Sequence, residues 1–358
     1  MRQPNRASAF DFLRVAFAAV VLAAHLMILT EAVVPGWFRS GLLTLGYYCV
    51  QGFFLISGYL VAGSLARSDS WRLYAEKRLR RVYPAYTTVI LSAVVLGLVM
   101  SPEARSDLGA VARYAFWNLV FLNFLEPNIP GLFEDNLFTE VNGALWTVKI
   151  EVMFYIVLPV LAIVLKRTGG LYWAAVALVY VGAVLWQELV PTLAEPYVGE
   201  QLAAQLSRQL PGQMDIFIVG MVLAGKKPIR EENALRAGLA SAVLLAATIA
   251  LPVLKPLEAV AVGGLVVSLG RYWRIPFDAG RFGDLSYGVY ALHFPIIQTL
   301  IAMGVFAVSY PFGVLAALVL TFTAAALMWR YIERPALRMD SAYRREAVSA
   351  ERTPAPSS

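Results

Sequence analysis

Ten long apolar runs, almost free of charged residues, limit what this chain can fold into. They are residues 12–30, 41–63, 82–100, 144–165, 171–190, 212–224, 237–254, 258–270, 285–308 and 312–329. Charged, proline-containing or glycine-containing turns separate them, and a helix needs about 20 apolar residues to cross a bilayer. Only 15% of the residues are charged, against about 25% in soluble domains. We therefore predict an all-α integral membrane protein, a polytopic bundle of about ten transmembrane helices.

A shorter apolar piece at residues 114–125 does not join this count. It is too short to cross a bilayer comfortably. Counting it as a span would also place Lys166 and Arg167 on the side opposite to the other basic loops. We predict that this piece is a re-entrant or interfacial segment.

Lysine and arginine are distributed unevenly between the predicted loops. If the N-terminus is inside, the inner loops hold 23 of the 30 basic residues and the outer loops hold five, with Arg14 and Lys149 inside helices. Basic loops are retained in the cytoplasm, so we predict an inner-membrane protein with both termini cytoplasmic. One membrane domain is expected over residues 1–340, with a disordered tail over 341–358. Basic residues confined to such loops indicate a lipid bilayer as partner and not a nucleic acid.

The first helix carries three ionisable residues, Asp11, Arg14 and His25. Such residues are costly at membrane depth and usually mark a functional site. Arg14 and His25 are 11 residues apart, so they share a helix face and are separated by ~16 Å along the axis. In the alternative interpretation, Arg14 reaches the lipid head groups and His25 only hydrogen-bonds a neighbouring helix.

The chain has two histidines, His25 and His293, and both lie within predicted helices. Histidine is the side chain best suited to accept and return a proton near neutral pH. His293 is expected near mid-depth of the membrane. A purely structural hydrogen bond explains His293 equally well, because depth is its only distinguishing feature.

Lys149 and Glu151 lie within the predicted helix that begins near residue 144. If this helix enters from the outer face, Glu151 lies ~10 Å below that face, close to the depth of His25. We predict that the Glu151 carboxylate meets the His25 imidazole, where it would fix the tautomer and stabilise the imidazolium. The alternative is a structural ion pair of Glu151 with Lys149 or Arg14.

A basic segment at residues 71–86 includes Arg78, Arg80, Arg81 and Tyr83. Such a cluster beside a membrane helix commonly binds acidic lipid. Guanidinium groups at the mouth of a helix would also suit the phosphates of a nucleotide. The segment alone favours lipid binding.

Six pieces of sequence resemble, in their order, motifs of the acyltransferase 3 family of integral membrane acyltransferases. They are DFLR (11–14) with His25 further along, QGFFLISGYL (51–60), RRVYPAY (80–86), LWTVKIEVMFY (145–155), GDLSYGVYALHFP (283–295) and IERP (332–335). Each piece is weak alone, but together they span nearly the whole chain. Two departures are mild: Lys149 replaces a small or apolar residue, and Ala291 replaces a leucine.

The resemblance implies a carbohydrate O-acyltransferase. The reaction moves an acyl group, often acetyl, from coenzyme A to a hydroxyl of a glycan or glycosylated acceptor. Acyl-CoA would be a co-substrate, with no permanently bound cofactor and no metal. The implied catalytic residues are His25, Arg14 and Glu151, and the implied coenzyme-binding residues are Arg78, Arg80, Arg81 and Tyr83. The supporting residues drawn from these motifs are Asp11, Ser57, Trp146, Ser286, Tyr287, His293 and Glu333.

Several alternatives stay open at the level of sequence. His25 could act as a general base or carry a transient acyl group, and its loss is expected to abolish transfer while loss of His293 leaves measurable activity. Ser57 is expected to pack between helices, with Gly52 and Gly58 allowing backbones to approach closely. The rival function is a proton-coupled transporter of a polar or lipid-linked solute, although the sequence shows no internal duplication.

Overall fold

A computed structural model describes residues 7–68, 70–225, 231–272 and 284–337, and these ranges contain helices and no strands. The α-helices are α1 (Ala7–Leu29), α2 (Gly36–Ala66), α3 (Trp71–Met100), α4 (Pro102–Ser106), α5 (Leu108–Leu119), α6 (Trp146–Arg167), α7 (Tyr172–Val198), α8 (Glu200–Ser207), α9 (Met214–Ala224), α10 (Glu231–Ala250), α11 (Glu258–Tyr272), α12 (Ser286–Ala302), α13 (Val305–Val308), α14 (Tyr310–Met328) and α15 (Arg334–Ala336). A π-helical turn, Trp329–Glu333, joins α14 to α15. The predicted tail at 341–358 lies outside the described residues.

The predicted class, an all-α polytopic membrane bundle, is confirmed. Within the described ranges, eight helices are long and apolar enough to cross a membrane, and they lie in α1, α2, α3, α6, α7, α10, α11 and α14. The other two predicted runs form the shorter helices α9 and α12, of 11 and 17 residues. A 3-10 turn at Leu210–Gln213 precedes α9. Gly304, whose φ is 71°, lies between α12 and α13.

The apolar piece at 114–125 does not form a spanning helix. It contains the end of α5, a helix of 12 residues. The Tyr86 hydroxyl donates to the Asn118 carbonyl over 2.8 Å, and Tyr86 lies ~21 Å before the end of α3. After a left-handed residue at Phe121, the chain returns to Ser101, whose hydroxyl donates to the Pro130 carbonyl over 2.7 Å. The segment therefore folds back along α3, and its re-entrant or interfacial position in a membrane stays a prediction.

The chain between Pro130 and α6 enters the bundle again before α6 begins. The Asn142 side-chain amide donates to the Ala291 carbonyl over 2.8 Å, and the Thr147 hydroxyl donates to the Tyr290 hydroxyl over 2.8 Å. Tyr290 and Ala291 are only six and seven residues beyond Asp284, or about 10 Å along α12. Helix α6 therefore starts inside the bundle and not at its outer face.

Small residues allow α2 and α9 to pack with their backbones in contact. A methyl group on Gly58 would lie 2.6 Å from the Phe217 carbonyl oxygen, and one on Gly220 would lie 2.5 Å from the Leu55 carbonyl oxygen. The close approach expected at Gly58 is confirmed. At Gly52 an added methyl would meet the Phe17 ring, so Gly52 makes room for a side chain.

Candidate active site

Four charged residues from distant parts of the chain, two buried carboxylates and two half-buried arginines, meet at one end of the bundle. Arg14 Nη1 donates to Asp284 Oδ2 over 2.7 Å, and Arg81 donates to the same carboxylate. Arg81 also lies 3.5 Å from Glu333 Oε2. The carboxylate side chains of Asp284 and Glu333 are 2% and 3% exposed. We call these four residues the arginine–carboxylate network, and they tie α1, α3, the start of α12 and the turn after α14 together.

The network neutralises charges that would otherwise be costly to bury. Burial alone would raise the pKa of Asp284, but the guanidinium groups of Arg14 and Arg81 outweigh this effect and hold the pKa below its usual range. Asp284 also accepts hydrogen bonds from the backbone N–H and the hydroxyl of Ser286. Asp284 is therefore the anionic centre of the site, and it was missed by the sequence analysis although it lies within the quoted piece at 283–295.

The residues expected to hold the coenzyme do not form one patch. Arg81 is turned inward to Asp284 and Glu333. Arg80 pairs with Glu76 over 2.7 Å, one turn earlier on α3. Arg78 lies 5.7 Å from the centre of the Tyr155 ring, and its buried Nε has no hydrogen-bond partner among the described residues.

Tyr83 is 38% exposed, and its ring centre lies 6.2 Å from that of Phe121. It therefore belongs to the contact between α3 and the segment that follows α5. Of the four residues, Arg78 is the one with both a buried unpaired donor and a contact to α6.

A cavity lies beside the arginine–carboxylate network, between α1, α2, α6 and α12. Its empty space, including the open mouth, is about 450 Å³. The residues that line it are Arg14, Val50, Phe53, Phe54, Ser57, Thr147, Val148, Glu151, Ser286, Tyr287 and Tyr290. One part of this lining is polar and ionic, and the remainder is apolar or aromatic, as is typical of ligand sites.

Glu151 lies in the polar part of this cavity, with Arg14. Its Oε1 accepts hydrogen bonds from the Ser57 hydroxyl over 2.7 Å and from the Tyr155 hydroxyl. Ser57 was expected to be a packing residue, and the structure shows it as a direct partner of Glu151.

The predicted contact between Glu151 and His25 was wrong. It assumed that α6 enters from the outer face, but α6 starts about 10 Å from Asp284 along α12, next to Tyr290. Glu151 therefore lies near Arg14, and Arg14 and His25 are ~16 Å apart along α1. The alternative pair with Lys149 is not formed either, since Lys149 Nζ donates to Gln209 Oε1 over 2.8 Å.

The two histidines contact each other across α1 and α12. His25 Nδ1 lies 2.8 Å from His293 Nε2, and the ring centres are 4.9 Å apart. His293 is fully buried, and its Nδ1 lies 3.0 Å from the Val289 carbonyl oxygen. His293 is thus the direct partner of His25, which the sequence analysis did not predict, although both histidines were placed at membrane depth.

Tyr290 connects the cavity to this histidine pair. It lines the cavity, and its ring centre lies 5.8 Å from that of His293. His293 follows Tyr290 by three residues, or ~4.5 Å along the helix. The structure therefore arranges the ionic network, the cavity and the histidine pair in sequence along the bundle.

The remaining predicted residues surround this arrangement. Tyr287 lines the cavity, and its buried hydroxyl has no hydrogen-bond partner in the part of the chain that the structure describes. Ser286 donates to Asp284. The Trp146 ring centre lies 6.3 Å from that of Phe54, a cavity residue, and Asp11 is buried on α1 before Arg14.

Comparison with known proteins assigns the family. The model of an acyltransferase domain, acyltransferase family 3, matches residues 8–330. "Nodulation protein 10" of Rhizobium leguminosarum bv. viciae is 27% identical over 323 residues, which cover 80% of this chain and 81% of the relative. "O-acetyl transferase" of Shigella phage Sf6 is 26% identical over 353 residues, which cover 94% and 98%. No solved structure matches the chain. The chain therefore belongs to the acyltransferase 3 family and is a membrane O-acyltransferase.

Proposed function

We propose that this protein transfers an acyl group, in the first instance acetyl, from cytoplasmic acyl-CoA to a hydroxyl of a carbohydrate or glycosylated acceptor, with His25 as the general base. The observation that carries the proposal is the cavity. It contains Arg14 and Glu151 in its ionic part, and Tyr290 connects it to the histidine pair. A donor and an acceptor entering from opposite ends of the bundle would meet at the end of the cavity beside Tyr290 and the histidine pair.

The donor is proposed to enter at the end that carries the arginine–carboxylate network. Most basic residues belong to loops on this side, which the charge distribution predicts to be cytoplasmic. Arg78 offers a buried Nε without a partner among the described residues, and a guanidinium binds phosphate well. From Arg78 the route passes Tyr155 and Glu151 and enters the cavity.

The apolar walls of the cavity suit the uncharged arm and acyl group of the donor. Val50, Phe53, Phe54 and Val148 provide apolar walls. Arg14 is ~16 Å from His25 along α1, so we propose that Arg14 contacts the donor arm and not the reacting carbonyl. This assigns Arg14 to donor binding and His25 to proton transfer.

In the proposed reaction, His25 removes the proton from the acceptor hydroxyl as its oxygen attacks the thioester carbonyl. The tetrahedral intermediate then expels the coenzyme A thiolate, which takes the proton back from His25. The hydroxyl loses one proton, the thiol gains one, and the acyl group changes partner. A transient acyl group on His25 is the second route, and it would release the thiol before acceptor is added.

Comparison of strains that produce or lack the protein tests this proposal. Mass spectrometry of surface glycans and small glycosylated metabolites should show one acyl mass added to an acceptor only when the protein is present. A strain producing a His25→Ala protein at the same membrane abundance serves as the control and should match the deletion strain. Identical acylation in all three strains would contradict the proposal.

A further inference from the structure

The hydrogen bond between His293 and the backbone determines which nitrogen of His293 carries a proton. His293 Nδ1 lies 3.0 Å from the Val289 carbonyl oxygen. A carbonyl oxygen can only accept a hydrogen bond, so Nδ1 must carry the hydrogen. A neutral imidazole has one N–H, which leaves Nε2 of His293 with a lone pair.

The same reasoning extends from His293 to His25. Nε2 of His293 lies 2.8 Å from Nδ1 of His25, and because the first atom can only accept, the second must donate. His25 then carries its hydrogen on Nδ1, and its Nε2 keeps the lone pair. The contacts that run from the Val289 carbonyl through His293 thus assign both tautomers, and the Val21 backbone, one turn earlier on α1, also hydrogen-bonds the His25 ring.

Both rings are assigned as neutral. His293 is fully buried, and a buried imidazolium without a carboxylate partner is costly. No carboxylate is hydrogen-bonded to either ring within the described ranges, and Glu151 is bonded to Ser57 and Tyr155. Two neutral rings, each with its one N–H on Nδ1, satisfy both the hydrogen bond to the Val289 carbonyl and the hydrogen bond between the rings.

We propose that His293 is a positioning residue that holds His25 in the tautomer with its hydrogen on Nδ1, so that Nε2 of His25 is the basic atom of the reaction. In a hydrolase triad a carboxylate has this role, whereas here a second imidazole has it, oriented by a backbone carbonyl. The inference rests on the proposed function, because it identifies which atom of the proposed base accepts the proton.

The alternative is that His293 only packs against α1. The geometry does not favour this, because His293 uses both ring nitrogens, one toward the backbone and one toward His25. A packing role would be preserved by phenylalanine, which fills a similar volume without hydrogen bonds. Glutamine offers the matched comparison, because its amide oxygen can accept where Nε2 of His293 does.

Nitrogen-15 spectroscopy tests the tautomer directly, because the chain has two histidines and hence four ring nitrogens. The full-length protein is labelled on histidine, purified through a tag without histidine and measured in lipid nanodiscs near neutral pH. We expect His25 to carry its hydrogen on Nδ1 in the wild type and in His293→Gln. In His293→Phe we expect His25 to move toward the Nε2–H tautomer.

Turnover measured on the same variants separates positioning from packing. We expect kcat to fall at least about 10²-fold in His293→Phe, by analogy with the loss of a positioned acid–base group, with KM for acetyl-CoA little changed. His293→Gln should recover most of kcat. If His293→Phe fails to accumulate in the membrane, the wild-type spectrum alone decides.

Two results would overturn the inference. One is a wild-type spectrum with hydrogen on Nε2 of His25, and the other is a His293→Phe protein that keeps the Nδ1–H tautomer and wild-type kcat. These outcomes are distinguishable from failure of the proposed function, because the spectrum needs no activity. If the tautomer is as stated but His25→Ala still acylates the acceptor, the proposed function fails and the tautomer assignment stands.

Discussion

Replacing Asp284 with asparagine should destabilise the protein far more than the loss of an exposed ion pair does. The substitution keeps the shape of the side chain but removes the charge that Arg14 contacts at 2.7 Å. Arg81 would retain Glu333 at 3.5 Å. Because Asp284 is 2% exposed, the substitution breaks a buried ion pair. Removing one partner of such a pair lowers the free energy of unfolding by about 3–5 kcal/mol.

A matched control comes from an exposed pair in the same chain. Arg113 Nε lies 3.3 Å from Glu126 Oε1, and the two side chains are 58% and 34% exposed. Glu126→Gln should therefore cost no more than about 1 kcal/mol. Thermal unfolding of both variants and the wild type, followed in the same detergent by tryptophan fluorescence, compares the two losses.

The pH dependence of this contribution has a defined sign. Because Arg14 and Arg81 hold the pKa of Asp284 below its usual range, its stabilisation is fully present above the unfolded pKa, at about 3.9, and is lost only as the pH falls through the folded value. The stabilisation that the Asp284 charge itself provides should thus persist above about pH 5 and decrease only at lower pH. Equal melting temperatures for Asp284→Asn and Glu126→Gln would refute the view that the network assembles the site.

Three further predictions follow from the site. Glu151→Gln should lower kcat at unchanged membrane abundance, because it removes the charge that accepts hydrogen bonds from Ser57 and Tyr155. Lys149→Ala should matter less because Lys149 contacts Gln209, and equal turnover in both variants would show that Glu151 has no special role. Arg78→Ala should raise KM for acetyl-CoA several-fold more than Arg80→Ala, since Arg80 is paired with Glu76; the reverse order in initial-rate measurements would move the coenzyme site. A reporter that is active only outside the cytoplasm should be silent when fused after Ser358, and external activity would reverse the proposed direction of donor entry.

The helices themselves were predictable because the signal for them is local. Each of the ten apolar runs corresponds to a helix, and the piece at 114–125 was separated from them by its length. Hydropathy measures composition and not the path of the chain between helices. It therefore could not show that the contacts of Asn142 and Thr147 place the start of α6 beside Tyr290.

The error about Glu151 follows from that missing information. The depth of Glu151 was calculated by assuming that α6 begins at the outer face of the membrane. The result holds only for a helix that begins there. The partner of His25 was unpredictable for a different reason, because His293 is 268 residues away in sequence. Only the packing of α1 against α12 brings the two rings together.

The ionisable residues predicted at membrane depth lie in or near the candidate site, and their roles stay predictions. Arg14 and Glu151 line the cavity, and His25 is in the histidine pair. Asp284 was missed because it lies just before a predicted helix, where an acidic residue is ordinary. Its importance depends on Arg14 and Arg81, which reach it from α1 and α3.

The central claim, that His25 is the base in acyl transfer, is tested most directly by measuring transfer in His25→Ala. Purified wild type, His25→Ala and Cys49→Ala are assayed in nanodiscs at matched abundance, with thiol release and acceptor acylation followed separately. Cys49 is buried on α2 and lies outside the cavity lining, so its variant should keep activity within a few-fold. His25→Ala should lose acceptor acylation by at least about 10²- to 10⁴-fold, and acylation by His25→Ala comparable to that of Cys49→Ala would contradict the account.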